Sequence, residues 1–174
     1  MKALIITGQG VQDQEFFYPY YRLQEEGYEV DVAIAEMEQV KGYFGIKIPS
    51  THHISAVHPD NYEVLILPGG VKAMEHMRQD QRILDFIAQF HELGKVIGCI
   101  CSATQLLISA GLVKGRLISG YYSMKDDIIN AGGVYVDGVA IDSKIVTAPH
   151  YKYMGAWMKA VLIEVKKTNF PLNA

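Results

Sequence analysis

Between Lys95 and Ala110 the chain reads as a buried strand, one tight corner and an apolar helix, with Cys101 at the corner. A strand that feeds straight into a helix is half of a β–α unit, and the same alternation recurs along the chain. That alternation implies an α/β layered fold on a mainly parallel sheet. A nucleophile elbow needs small side chains two positions either side of the nucleophile, because the turn is strained and crowded. Cys99 and Ala103 fill those positions. A thiol held there lies at a helix N-terminus, where unpaired N–H groups and the dipole favour thiolate. Cys101 is therefore expected to be reactive and acidic. Cys99 has bulky Ile97 two residues before it and lies within the strand, so it is assigned to the core.

Ala3–Thr7 is a short apolar strand followed by a Gly8-Gln9-Gly10 turn. Asp13 is the expected cap of a helix carrying Phe16, Phe17, Tyr20 and Leu23 and ending at Gly27, with Pro19 kinking it or marking a restart. Glu29–Ala35 alternates as a strand, and Val40–Ser50 reads as a hairpin outside the main sheet. Tyr62–Leu67 is a buried strand that ends in Pro68-Gly69-Gly70. Asp80–Leu93 puts Ile83, Leu84, Ile87 and Phe90 on one helical face. Short strands at about 133–136, 139–142 and 145–148 precede a last helix with Met154, Trp157, Met158, Val161, Leu162 and Val165 at helical spacing.

The 174 residues are read as a single domain, 1–174, large enough to bury a core without staples. A net charge of −3 argues against binding a nucleic-acid backbone. Two cysteines at C-x-C spacing cannot easily bridge and do not make a C-x-x-C redox pair or a zinc site. With no signal peptide, they point to a reducing, cytoplasmic setting. The uncharged run Val96–Val113 is broken by Gly98, Ser102, Thr104, Gln105, Ser109 and Gly111, so it is not read as a membrane span.

Ligands bind beyond the carboxyl ends of the strands in such sheets. Gly8–Gln14, Pro68–Glu75 and Cys101–Ala103 should converge there. The first loop half-matches a dinucleotide fingerprint, but Asp13 stands where the third glycine belongs and would repel a pyrophosphate. A thiolate at Cys101 needs a proton partner, and Glu15 is the candidate. If the two meet, Glu15 should be held neutral and donate to sulfur. Gly69 and Gly70, with the N–H of Ser102, are candidate donors to a developing oxyanion. His150, after the last strand, is a possible accessory base. His52, His53 and His58 fall in a loop without an acidic or thiolate companion, so no metal is expected, and no cofactor.

Glu15–Val30, Leu67-Pro-Gly-Gly70, Ile100-Cys101, Leu107–Gly111 and Lys125–Gly132 together resemble, in order and over nearly the whole chain, the ThiJ/PfpI superfamily. That superfamily includes the DJ-one and intracellular protease/amidase-like branches. The resemblance implies a flavodoxin-like three-layer sandwich, a reactive cysteine with a partner glutamate at Glu15, a stress-response role, and dimers or hexamers. It also departs from this chain. The protease-like branch places His after the nucleophile, where Ser102 stands, and a hydroxyl cannot replace imidazole as a base at neutral pH. The acid that this branch supplies from a neighbouring subunit is matched by Glu75, and the histidine of the DJ-one branch by Tyr121.

The leading expectation is an enzyme in which Cys101 adds to a small electrophilic carbon, with Glu15 shuttling the proton. Dicarbonyls of the glyoxalase/deglycase kind, amides and isonitriles remain open as substrates. The alternatives are a non-catalytic sensor or chaperone acting through Cys101 oxidation, and a PfpI-type peptidase weakened by Ser102. Five rings at Phe16, Phe17, Tyr18, Tyr20 and Tyr21 cannot all face one sheet. Some are therefore expected to pack against another subunit, at least as a homodimer.

Overall fold

The computed structural model describes residues 1–36 and 38–169. Its centre is a seven-stranded sheet. In chain order, the first four strands are β1 (Lys2–Ile6), β2 (Glu29–Ile34), β3 (His52–His53) and β4 (Val64–Leu67). They are followed by β5 (Val96–Ile100), β6 (Leu117–Ile118), β7 (Val134–Tyr135), β8 (Ala140–Asp142) and β9 (Ile145–Ala148). The main sheet runs in the order β3-β2-β1-β4-β5-β9-β8, parallel throughout except for the β8–β9 hairpin. β6 and β7 form a separate two-stranded parallel sheet.

The central strands read as unbroken apolar runs because both faces are covered by helices. On one face, Leu4, Ile6, Leu65, Leu67, Ile97 and Cys99 share a core with helices α2 (Val71–Met77), α3 (Gln81–Glu92), α4 (Thr104–Ser109) and α5 (Lys125–Asn130). On the other, Ala3, Ile5, Val64, Ile66 and Val96 pack against Phe16 and Leu23 of α1 (Asp13–Glu25) and Trp157, Met158 and Val161 of α6 (Met154–Asn169). These are three layers with a period-2 division of side chains, the expected sandwich. Gly98 lets the second layer close. A methyl group there would stand 2.9 Å from Val161 Cγ2 and 3.2 Å from Trp157 Cζ2. Trp157, fully buried, spends its indole N–H on the Val146 carbonyl at 2.9 Å. Among the described residues no helix is long and apolar enough to cross a membrane.

Several local expectations change. α1 begins after Gln12, whose side chain accepts from the Asp13 N–H, so Gln12 and not Asp13 is the cap. Pro19 sits inside α1, which runs from Asp13 to Glu25 without a restart. Val40–Ser50 stays outside the main sheet but is closed by a single Lys41–Lys47 bridge, not a full hairpin ladder. His52 and His53 are a short edge strand beside β2 instead of loop. His52 hydrogen-bonds Thr51 Oγ1 at 2.7 Å, and His53 Nε2 lies 3.1 Å from the Ala35 carbonyl. The strand expected at 133–136 pairs with β6, away from the main sheet.

From β1 the chain runs outward through β2 to β3, then returns to lay β4 on the other side of β1. The reversal opens a crevice at the carboxyl ends of β1, β4 and β5, and the three predicted loops meet there.

Candidate functional site

β5 ends at Ile100, and Cys101 follows with φ of +62°, in the left-handed region that side chains with a Cβ avoid. One short 3₁₀ turn, Cys101–Ala103, then leads into α4. A non-glycine residue held there costs about 1–3 kcal/mol and persists only where its surroundings overdetermine it. The restraint is visible. The Cys101 carbonyl accepts from the Tyr121 N–H at 3.1 Å and from Thr104 Oγ1 at 3.2 Å, and Thr104 also reaches the Ser119 carbonyl at 3.0 Å. Ala103 and Cys99 are fully buried beside the corner. Burial pushes the Cys99 thiol far up, so it stays neutral and serves as core.

Glu15, in the first turn of α1, is fully buried. Its Oε2 accepts from the Gly69 N–H at 2.9 Å. The Cys101 thiol neighbours the same carboxyl. Oε1 has no donor of good geometry among the described nitrogen and oxygen atoms. Burial pushes the carboxyl up to about 7, against the opposing pull of the Cys101 thiol and the Gly69 N–H. Burial raises the carboxyl in the expected direction, but about half of it is ionised at pH 7 beside a thiol that keeps its proton, so it is not the neutral donor to sulfur expected from the sequence.

The thiol departs from expectation. Burial first, and the Glu15 charge second, push Cys101 up to about 12, while the N–H and hydroxyl of Ser102 pull the other way. The helix that follows is a short turn and six residues, too little dipole to outweigh a buried carboxylate at contact. Two groups this close titrate as a unit: the pair gives up one proton near neutrality and holds the second strongly.

Glycine is required beside this pair. A methyl group at Gly69 would stand 2.5 Å from Glu15 Oε2 and 2.9 Å from Cys101 Cβ, so a side chain would wedge acid and thiol apart. Gly70 has φ of +122°, and a Cβ there would meet Gln12 N and the Gly10 carbonyl at 2.7 Å. Both N–H groups are already committed. That of Gly69 holds Glu15, and that of Gly70 donates to Ser102 Oγ at 2.9 Å. Of the three donors expected to serve an oxyanion, the one facing the reacting sulfur is the Ser102 N–H.

Cys101 and Glu15 open into a cavity of about 640 Å³, which Gly70, Ser102, Glu75, Tyr121 and His150 also line. His150 Nδ1 accepts from the Lys152 N–H at 3.3 Å, and burial and the Lys152 charge push its imidazole down, so it is neutral. Glu75 lies exposed on α2 and faces this chain's own cavity. Gln12, Tyr43, Lys72 and Tyr151 line the cavity as well, and the sequence analysis missed them. The placement of Gln12 and Lys72 in two converging loops was the available signal. Tyr43 and Tyr151 carried none. Asp13 does not meet a nucleotide: it is buried, and its Oδ2 accepts from the Phe44 N–H at 2.9 Å. Among the described residues no three His, Cys, Asp or Glu side chains gather as a metal site.

The family model described as the DJ-1/PfpI family matches residues 1–164. A protein of Pyrococcus furiosus named Deglycase PfpI is 36% identical over 160 residues, covering 91% of this chain and 96% of that protein. A crystal structure from Anabaena variabilis, described as a two-domain protein with DJ-1/ThiJ/PfpI-like and ferritin-like domains, superposes with a TM-score of 0.90 at 26% identity. It covers 94% of this chain, which spans 48% of that one, about half its length. Drosophila melanogaster DJ-1beta superposes with a TM-score of 0.83 at 26% identity, over 96% of this chain and 90% of the other.

Proposed function

The chain belongs to the DJ-1/PfpI family, and from that premise we propose that it is a cysteine-dependent enzyme in which Cys101 adds to an electrophilic carbonyl carbon while Glu15 moves the proton. The observation that carries this reading is the fully buried Glu15 carboxyl, which burial pushes up to about 7, beside a thiol at a strained corner on a cavity wall. A carboxyl balanced between its two forms at neutral pH can accept a proton and return it in one turnover.

The substrate class is a reactive dicarbonyl. The name deglycase carried by the Pyrococcus furiosus relative supports this choice over amides and isonitriles. As the sulfur bonds to the aldehyde carbon, Glu15 takes the thiol proton and hands it to the oxygen that receives the carbonyl π pair, which leaves a hemithioacetal and an ionised Glu15. Glu15 then removes the proton from that carbon and delivers it to the neighbouring carbonyl carbon, while the hydroxyl proton moves to the neighbouring oxygen, which leaves a thioester. Water breaks the S–C bond and releases a 2-hydroxy carboxylate with the thiol restored. The sum is one dicarbonyl plus one water, with no outside oxidant or reductant. In this reading the Ser102 N–H stabilises the oxyanion at the addition and hydrolysis steps.

A peptidase reading lacks a catalytic imidazole next to the nucleophile: Ser102 follows Cys101, and His150 Nδ1 is engaged with the Lys152 N–H. For assembly, Tyr18 and Tyr21, 39% and 56% exposed on α1, support a homodimer through that helix.

The test is turnover of methylglyoxal by purified protein beside Cys101→Ser and Glu15→Ala. Turnover is expected only in the unaltered protein. Equal turnover in Cys101→Ser would overturn the reading. No turnover, with ready peroxide modification of Cys101, would move the assignment to an oxidation sensor.

A further inference from the structure

The cavity is far larger than the reaction centre needs. A methyl-substituted 2-oxoaldehyde has five heavy atoms and fills at most roughly 150 Å³, taking about 30 Å³ per heavy atom as for one water. The cavity holds about 640 Å³. One side of the remaining wall is aromatic.

Tyr121, His150 and Tyr151 form a continuous run along one side. The rings of Tyr121 and His150 lie 21° from parallel with centroids 5.9 Å apart, and His150 and Tyr151 are 3.9 Å apart. This run is tied to the reacting sulfur, because the Tyr121 N–H donates to the Cys101 carbonyl at 3.1 Å. His150 is neutral, so the wall carries no formal charge.

Tyr43 comes from the Val40–Ser50 segment to line the same cavity. Its N–H donates to the Val11 carbonyl at 2.8 Å, and its neighbour Phe44 donates to the buried Asp13 carboxylate. Gly42 allows this, since a methyl group there would collide with the Asp13 carboxylate. A buried acid and a glycine thus hold a ring that is itself 72% exposed, as Tyr151 is 42% exposed. Large rings fixed in position and left in water around a cavity mark a surface that a ligand covers.

We propose that Tyr43, Tyr121, His150 and Tyr151 form an aryl subsite, so that the site selects 2-oxoaldehydes bearing a flat aromatic group over those bearing a methyl group. The selection rests on the reaction proposed above, but the subsite does not depend on it. An aryl group gains by stacking against uncharged rings, whereas a methyl group reaches too little of the wall to profit. The ionisable side chains Lys72 and Glu75 lie on α2 and Glu15 lies on α1, so none of them stands in the aromatic wall.

Two measurements separate the subsite from the chemistry. In the first, mandelate and lactate, which are the phenyl and methyl 2-hydroxy acids, are titrated calorimetrically into Cys101→Ser protein. Mandelate is expected to bind at least tenfold more tightly. Tyr151→Ala should cut that ratio at least fivefold, and Tyr151→Phe should restore it. Equal binding of the two acids, no detectable binding of either, or a ratio indifferent to Tyr151 overturns the subsite. In the second, kcat/KM is compared for phenylglyoxal and methylglyoxal with the unaltered protein. A tenfold preference for phenylglyoxal, carried in KM, is expected, and no preference overturns the selection. If neither compound is turned over while mandelate still binds preferentially, the reaction assignment fails and the aryl subsite stands.

Discussion

The Gly69 N–H donates to Glu15 Oε2 at 2.9 Å across 54 residues of sequence. This one bond fixes the carboxyl against the β4 loop and presents it to Cys101 from the opposite side of the crevice. Because Gly69 also lacks the Cβ that would separate the pair, a single glycine both positions the acid and permits its approach to sulfur.

Glu15 should make stability pH-dependent. Its carboxyl ionises near 4.5 when solvated and near 7 in the fold, so between those values the folded chain binds more protons than the unfolded one. Stability from this group is therefore full below pH 4.5 and declines as pH rises to about 7. The difference is about 3 kcal/mol at 1.36 kcal/mol per pH unit. Glu15→Gln keeps an acceptor for Gly69 and removes the charge. Its Tm should match that of the unaltered chain near pH 4.5 and exceed it above pH 7. Parallel Tm curves across that range would refute the burial argument.

Alkylation of Cys101 by iodoacetamide should stay slow through neutrality and rise only well above the free-cysteine range, because the carboxyl and not the thiol gives up the pair's first proton near pH 7. Glu15→Gln should move that rise to lower pH. The lone thiol should then titrate above the free-cysteine value of about 8.5, since burial remains, but below 12, since the carboxylate charge is gone. Identical profiles for the two proteins would show that Glu15 is not the proton partner.

The positive φ at Cys101 is a testable strain. Cys101→Gly should be more stable than Cys101→Ala by about 1 kcal/mol in urea denaturation, because glycine adopts that conformation without a Cβ penalty. The reverse order is expected at an ordinary position, where glycine costs backbone entropy. An alanine variant as stable as the glycine variant would mean that the elbow is relaxed.

Assembly is checked by sedimentation at micromolar concentration, where a homodimer is expected. Changing Tyr18 and Tyr21 to Ser together should shift it toward monomer, since both rings stand on the outer side of α1. A chain that sediments as a monomer before any change defeats the proposed interface.

The strand–corner–helix pattern around Cys101, the apolar runs of the central strands and the three glycine-bearing loops were all legible in the sequence. Each is a short-range property: local period, turn chemistry and side-chain size act within a few residues. The reading of Glu15 as partner also rested on local cues, since it opens the helix after a loop bound for the right sheet edge. What failed locally was brief. His52–His53 is two residues long and leaves no alternation to detect, and the cap passed from Asp13 to Gln12 because Asp13 is spent on Phe44 in another segment.

Only the tertiary structure decided how those groups divide their bonds and charge. The N–H groups of Gly69 and Gly70 read as free donors from sequence, yet they hold Glu15 and Ser102, because the order β1-β4-β5 stacks three distant loops within hydrogen-bonding distance. The thiol reads as acidic from its place at a helix start, yet burial beside a carboxyl governs it, because desolvation depends on everything packed around the sulfur. The aromatic wall assembles rings from positions 43, 121, 150 and 151. No periodicity links them; the sheet brings them to one cavity. Sequence sets the local conformations and the available chemistry, and the fold sets the distances and the dielectric on which that chemistry depends.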